Sequence, residues 1–127
     1  MEDSVLKSTK KILGIDSAYM VFDLDIITHI NSAFSTLTQL GVGPRTGFMI
    51  EDDTAEWPEF LVDDNQMNSV RTYVYLKVRM LFDPPVTSYL IVAFEKQISE
   101  FEWRLNVHRE ETDWIDPDPL LVEVLDE

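Results

Sequence analysis

Cysteine is absent from the 127 residues. That excludes disulfides, thiolate zinc sites and thiol nucleophiles, and it is compatible with a reducing compartment. Basic residues are scarce: 10 Lys and Arg stand against 24 Asp and Glu, a formal net charge of −14. A surface that grips phosphates needs clustered Lys and Arg, so nucleic-acid binding through the backbone is disfavoured. Long apolar runs are also missing, and none approaches the roughly 20 residues of a membrane span. Lys7, Lys10 and Lys11 are interleaved with polar residues rather than followed by an apolar stretch, so no secretory signal is expected. No internal repeat and no low-complexity tract is present.

What remains is ordinary for one globular domain: 45% hydrophobic and 27% charged residues. A chain of this length buries roughly two-thirds of the surface its unfolded state exposes, enough for one core without staples. The acids are placed unevenly. Glu51 to Asp64 holds seven acids and no base, and Glu110 to Glu127 holds eight acids and no base. Outside these two segments nine acids face ten bases. A nearly neutral body with two acidic segments is the chain's main organisational feature.

Periodicity predicts a mostly α fold, a small antiparallel bundle of about four helices. The first helix is capped by Ser4 and ended by Gly14, with Val5, Leu6, Ile12 and Leu13 facing inward. The second carries Phe22, Ile26, Ile30, Phe34 and Leu37 on one face, widened by Ile27, Ala33 and Leu40. Asp23 is its N-cap or first-turn acid. Gly41, Gly43 and Pro44 end it. A long irregular loop follows at 42–65, in which Phe48-Met49-Ile50 reads as a short strand or hairpin edge. Trp57-Pro58-Glu59-Phe60-Leu61 reads as a turn or one helical turn. The third helix runs from about Asn65 to Phe82 with Met67, Val70, Val74, Val78 and Leu81 in line. Tyr73, Leu76 and Met80 add a second strip, so this helix is central. Asp83-Pro84-Pro85 stops it. The fourth runs from about Val86 or Thr87 to Arg109, with Tyr89/Leu90, Phe94, Ile98, Phe101 and Leu105 inward and Trp103 off that face. The division is a helical domain at 1–109 and an acidic, extended C-terminal tail at 110–127, where Asp116-Pro117-Asp118-Pro119 is extended by constraint.

No catalytic, cofactor or metal site emerges. His29 with Asp25 one turn back has no nucleophile, oxyanion motif or second His beside it. His108 suits a helix C-terminus. The Asp23/Asp25 pair and Glu51-Asp52-Asp53 lack the acid–Gly–Glu spacing of a calcium loop. Gly41-Val42-Gly43-Pro44 ends a helix rather than opening one, unlike a phosphate loop. Tyr73, Tyr75 and Tyr89 with Arg71, Lys77 and Arg79 fit packing better than a nucleic-acid surface.

Two stretches are similar to a known family. One is Phe22-Asp23-Leu24-Asp25-Ile26-Ile27-Thr28-His29-Ile30-Asn31, followed by Phe34, Leu37 and Gln39-Leu40-Gly41. The other runs from Tyr73 through Asp83-Pro84-Pro85 to Ser88-Tyr89-Leu90 and Glu102-Trp103-Arg104-Leu105-Asn106. Together, over residues 4–109, the chain resembles the head–tail connector (adaptor) proteins of long-tailed bacteriophages.

The resemblance implies a non-enzymatic subunit of a ring, commonly about twelve copies, beneath the portal. It implies a stopper or tail-completion protein below, DNA passing through the lumen, no cofactor, no membrane, a place in the virion neck and assembly in the host cytoplasm. Three groups of residues are expected to act. Glu51, Asp52, Asp53, Glu56, Glu59, Asp63 and Asp64 form a loop projecting toward the channel or the stopper. Trp114, Ile115, Leu120, Leu121, Val122 and Val124 anchor the tail on the portal or a neighbouring subunit. Tyr75, Met80, Tyr89 and Trp103 lie at subunit interfaces. The alternatives are an acidic helical inhibitor or DNA mimic that binds a basic host factor, and a hydrolase using carboxylates.

Overall fold

A computed structural model describes residues 3–61 and 64–113, and the side chains of Asp64 and of residues 107–113 lie outside that description. Among these residues there are helices α1 (Val5–Leu13), α2 (Asp23–Gln39), α3 (Trp57–Phe60), α4 (Asp64–Phe82) and α5 (Ser88–Asp113). The four long patterns are all present, and α3 is the single turn expected at Trp57. The last helix continues to Asp113, so residues 110–113 are helical rather than part of an extended tail.

The ends follow local chemistry. The Ser4 hydroxyl accepts from the Lys7 N–H at 3.2 Å, satisfying one orphan donor of the first turn. Gly14 closes α1 at φ 81°, a left-handed cap that needs no Cβ. The α4–α5 turn is held by Arg79 Nε donating to the Asp83 carbonyl at 2.7 Å.

Helix α4 is central, with α2 and α5 packed along it and α1 lying against α2 and α4. Ile26, Ile30, Ala33, Phe34 and Leu37 of α2 meet Val70, Val74 and Val78 of α4, all buried. Each large side chain there contributes about 1.5–3 kcal/mol. Toward α5, the buried Tyr73 hydroxyl donates to Glu102 at 2.8 Å, and Ile98 and Leu105 complete the core.

Three expectations fail for local reasons. Ile12 is 59% exposed because α1 packs through Val5, Leu6 and Thr9, and Lys10 occupies the buried position instead. Tyr89, Leu90 and Leu81 lie at the α4–α5 turn, beyond where the facing helices cover them, and are exposed. Phe48-Met49-Ile50 forms no strand. Ile50 N–H donates to Asn31 Oδ1 at 2.8 Å, and Asn31 Nδ2 donates back to the Ile50 carbonyl at 3.0 Å. One side-chain amide on α2 thus replaces a partner strand.

Lys10 is almost wholly buried. Its ammonium pairs with Asp23 at 2.7 Å and donates to the Ser17 and Tyr19 carbonyls at 3.1 and 2.7 Å. One cation thereby closes the α1–α2 turn and fixes the start of α2. Lys10→Met should cost about 3 kcal/mol in urea unfolding, because Asp23 is left without its cation. Lys10→Met with Asp23→Leu should recover most of that loss. Gly43→Ala should cost about 2 kcal/mol or more, because φ is 86° and an added Cβ would clash with the Phe60 ring.

Candidate functional site

The acidic segment is tied to the body at several points and does not stand off as a free projection. Ser4 Oγ donates to the Asp53 carbonyl at 2.8 Å, Val5 N–H to Ala55 at 3.0 Å, and Trp57 N–H to Asp3 at 2.9 Å. Trp57 Nε1 donates to the Ser8 hydroxyl at 2.9 Å, inside the core. The Trp57 ring meets Phe34 and Tyr75 edge-on at 5.9 and 6.0 Å, and Arg71 lies over it at 5.2 Å. The apolar members of the segment hold it down, and its acids are left outside. Glu51, Asp52, Asp53, Glu56 and Glu59 are all exposed. Asp63, and the side chain of Asp64, lie outside the described residues.

Several of these acids have local work. The Glu59 carboxylate accepts from Glu56 N–H at 3.0 Å, a cap for the single turn α3. Asp52 accepts from the Thr54 hydroxyl at 2.6 Å and the Thr54 N–H at 2.9 Å. The hydroxyl first, then the amide, holds the Asp52 carboxyl below its ordinary range. Asp53 reaches Lys7 at 3.8 Å across open solvent, a pair worth little.

The expected interface residues divide into two kinds. Tyr75 is partly buried, accepts from Arg71 Nε at 3.2 Å and packs on Trp57. Met80 is likewise packed against the core. Each is partly buried and keeps part of its side chain at the surface. Tyr89 and Trp103 are 81% and 67% exposed on α5, and are open to a partner. The tail residues Trp114, Ile115, Leu120, Leu121, Val122 and Val124 lie outside the described residues.

Chemistry-bearing groups are not brought together. His29 is half-buried with its ring edge toward Phe82 at 6.5 Å. Asp23 is engaged by Lys10. No group of three or more His, Asp or Glu able to hold a metal occurs among the described residues. The basic residues near the tyrosines are tied by packing, Arg79 lying over Phe94 at 5.7 Å. No described helix is long and apolar enough to cross a membrane.

Sequence reasoning missed two surfaces. One is an apolar end, where residues 19–24 and 81–90 expose Met20, Val21, Leu24, Val86 and Tyr89. Phe22 meeting Phe82 edge-on at 5.3 Å brings these two segments together. The other is a groove of about 710 Å³ between α2 and residues 46–49. The signal for the first was the apolar cluster Tyr19-Met20-Val21-Phe22 just ahead of an acid-rich helix start. The groove left no signal, since its walls meet only after folding.

Comparison with known families gives one result. The family described as phage connector protein matches residues 5–112, most of the chain. No curated protein and no solved structure matches it.

The buried Tyr73 phenol is pushed upward, chiefly by burial and next by Glu102. The folded state therefore holds this proton more tightly than the unfolded chain does. Stability from Tyr73 is complete below the ordinary tyrosine value of 10.0 and falls as pH rises beyond it. Tyr73→Phe should cost about 1 kcal/mol at neutral pH. It should also flatten the loss of denaturation midpoint between neutral and strongly alkaline pH.

Proposed function

The chain belongs to the phage connector family, and from that premise we propose that it is a structural subunit of the head–tail connector. Copies form a ring, about twelve by analogy with the family resemblance, beneath the portal. The stopper or tail-completion protein is held below, and DNA passes through the lumen without specific binding. The protein has no catalytic role and resides in the virion neck after assembly in the host cytoplasm. The observation that carries this reading is the family match over residues 5–112.

The geometry supports it in three ways. Glu51, Asp52, Asp53, Glu56 and Glu59 form an exposed acidic surface tied to the body, with Lys7 at its edge beside Asp53. Such a surface facing the channel repels phosphates and lets DNA slide. Alternatively it meets a basic patch on the stopper. Tyr89 and Trp103 stand exposed on α5, as a subunit interface requires. The segment after Asp113 carries Trp114, Ile115, Leu120, Leu121, Val122 and Val124 among acids. Those apolar groups bind the portal or a neighbouring subunit, since a tail that only solvates would lack them.

Purified protein mixed with purified portal and imaged by electron cryomicroscopy should show a symmetric ring stacked on one end of the portal. Residues 51–59 should line the lumen or the stopper side. A map with this segment on the outer circumference would remove the channel role. A stable monomer that never engages the portal would overturn the connector reading and favour the acidic inhibitor. Removing residues 114–127 should weaken portal attachment by at least about tenfold while leaving the denaturation midpoint unchanged. Normal attachment would reduce the tail to solvating charge.

A further inference from the structure

We infer that neighbouring copies join head-to-tail, the outer face of α5 in one copy seating in the groove between α2 and residues 46–49 of the next. The pairing rests on the ring proposed above and names its two halves.

Helix α5 carries two stripes. The inward one holds Phe94, Ile98, Phe101 and Leu105 against α4. Tyr89, Val92, Lys96, Ser99 and Trp103 form the outward one, at steps of three and four that keep them in line on one face. Tyr89, Val92 and Trp103 on it are 81%, 63% and 67% exposed. A helix facing water would not need a Tyr, a Val and a Trp in register on its solvent side. The stripe is a ridge, with a large ring near each end and a short Ser in the middle.

The groove has the opposite relief. Thr28, Ser32, Ser35 and Gln39 of α2 form one wall, and Thr46 to Met49 the other. Their short side chains leave about 710 Å³ open, and no lining residue is charged. Met49 stands 73% exposed at its rim. From Thr28 to Gln39 the α2 wall runs about 16 Å, and from Tyr89 to Trp103 the ridge runs about 21 Å, at the rise of an α-helix.

Charge selects the occupant. Copies of a chain with net charge −14 repel one another, so they meet where acids are few or balanced by cations. The groove is uncharged, and the ridge carries the cation Lys96 in its line, flanked by the exposed Glu95 and by Glu100, which pairs with Arg104 at 3.9 Å. The acids that follow the groove rim, Glu51 and Asp52, are exposed and complementary to that lysine. Ridge and groove lie on different helices, each turned away from α4, so the contact is heterologous. Such contacts leave one free half on each end and close only as a ring.

The test uses two full-length variants and the wild type, with mass measured by analytical ultracentrifugation over a concentration series and repeated with portal. Val92→Glu with Trp103→Glu removes the ridge and keeps the groove. Ser35→Trp fills the groove and keeps the ridge. All these positions are solvent-facing, and circular dichroism checks that helix content is retained. Wild type should assemble, each variant alone should stay monomeric, and an equimolar mixture should yield a dimer and nothing larger. Variants that assemble like wild type, or a mixture that stays monomeric, overturn the pairing while the ring reading survives. A wild-type chain that is monomeric at every concentration and on the portal overturns the ring reading and the pairing with it.

Discussion

The indole of Trp57 fills the space where α1, α2 and α4 converge. Its ring touches Phe34 and Tyr75, its N–H is satisfied by Ser8, and Arg71 covers it. A buried indole without a partner for its N–H would carry a desolvation cost, and the α1 hydroxyl removes it. Much follows from this one seat. The chain before Trp57 must run beside the start of α1, where the Ser4 hydroxyl and the Val5 and Asp3 backbone groups receive it. The chain after it must turn through Pro58 to place Phe60 against Phe34 and Gly43. A connection that is long and irregular between α2 and α4 is therefore ordered by its own apolar residues.

The same constraint distributes charge. Trp57, Phe60 and Ile50 point inward, and Glu51, Asp52, Asp53, Glu56 and Glu59 are left outward, with Asp53 and Glu56 beside the N-terminal end of α1. The far end of the bundle is held differently, by the buried Lys10 ammonium on Asp23 and two turn carbonyls. That end exposes apolar residues of segments 19–24 and 81–90. The molecule is thus polar along its length, acidic at one end and apolar at the other. A subunit that stacks between two different partners in a tube needs two unlike ends, and its sides need surfaces that accept its own kind. In the proposed ring, the α5 ridge and the α2 groove are the side surfaces that meet.

The sequence by itself determined the helices and their stops. Phe22, Ile26, Ile30, Phe34 and Leu37 recur at the α-helical period, Ser4 and Gly14 suit the two ends of a short helix, and Asp83-Pro84-Pro85 cannot continue one. These are local rules, set by backbone donors and by side-chain period over a few residues. The centrality of the helix ending at Phe82 was equally legible, because both of its strips are apolar. The family resemblance also lay in such local stretches, and the match over residues 5–112 agrees with it.

What only the tertiary structure decided is which polar groups go inside and which apolar ones stay out. Periodicity places Ile12 in the core, yet Ile12 faces solvent while Lys10 is buried. Burying a lysine depends on an acid and two carbonyls contributed by a turn later in the chain. Asn31 reads as an ordinary helix position until Ile50 arrives beside it and takes both of its hydrogen bonds. Tyr75 and Met80 pack partly against the core, whereas Tyr89 and Trp103 stay open because no element of the described chain reaches them. Local pattern sets what each segment can be. Burial is a property of pairs of segments far apart in sequence, and it is settled only where they meet.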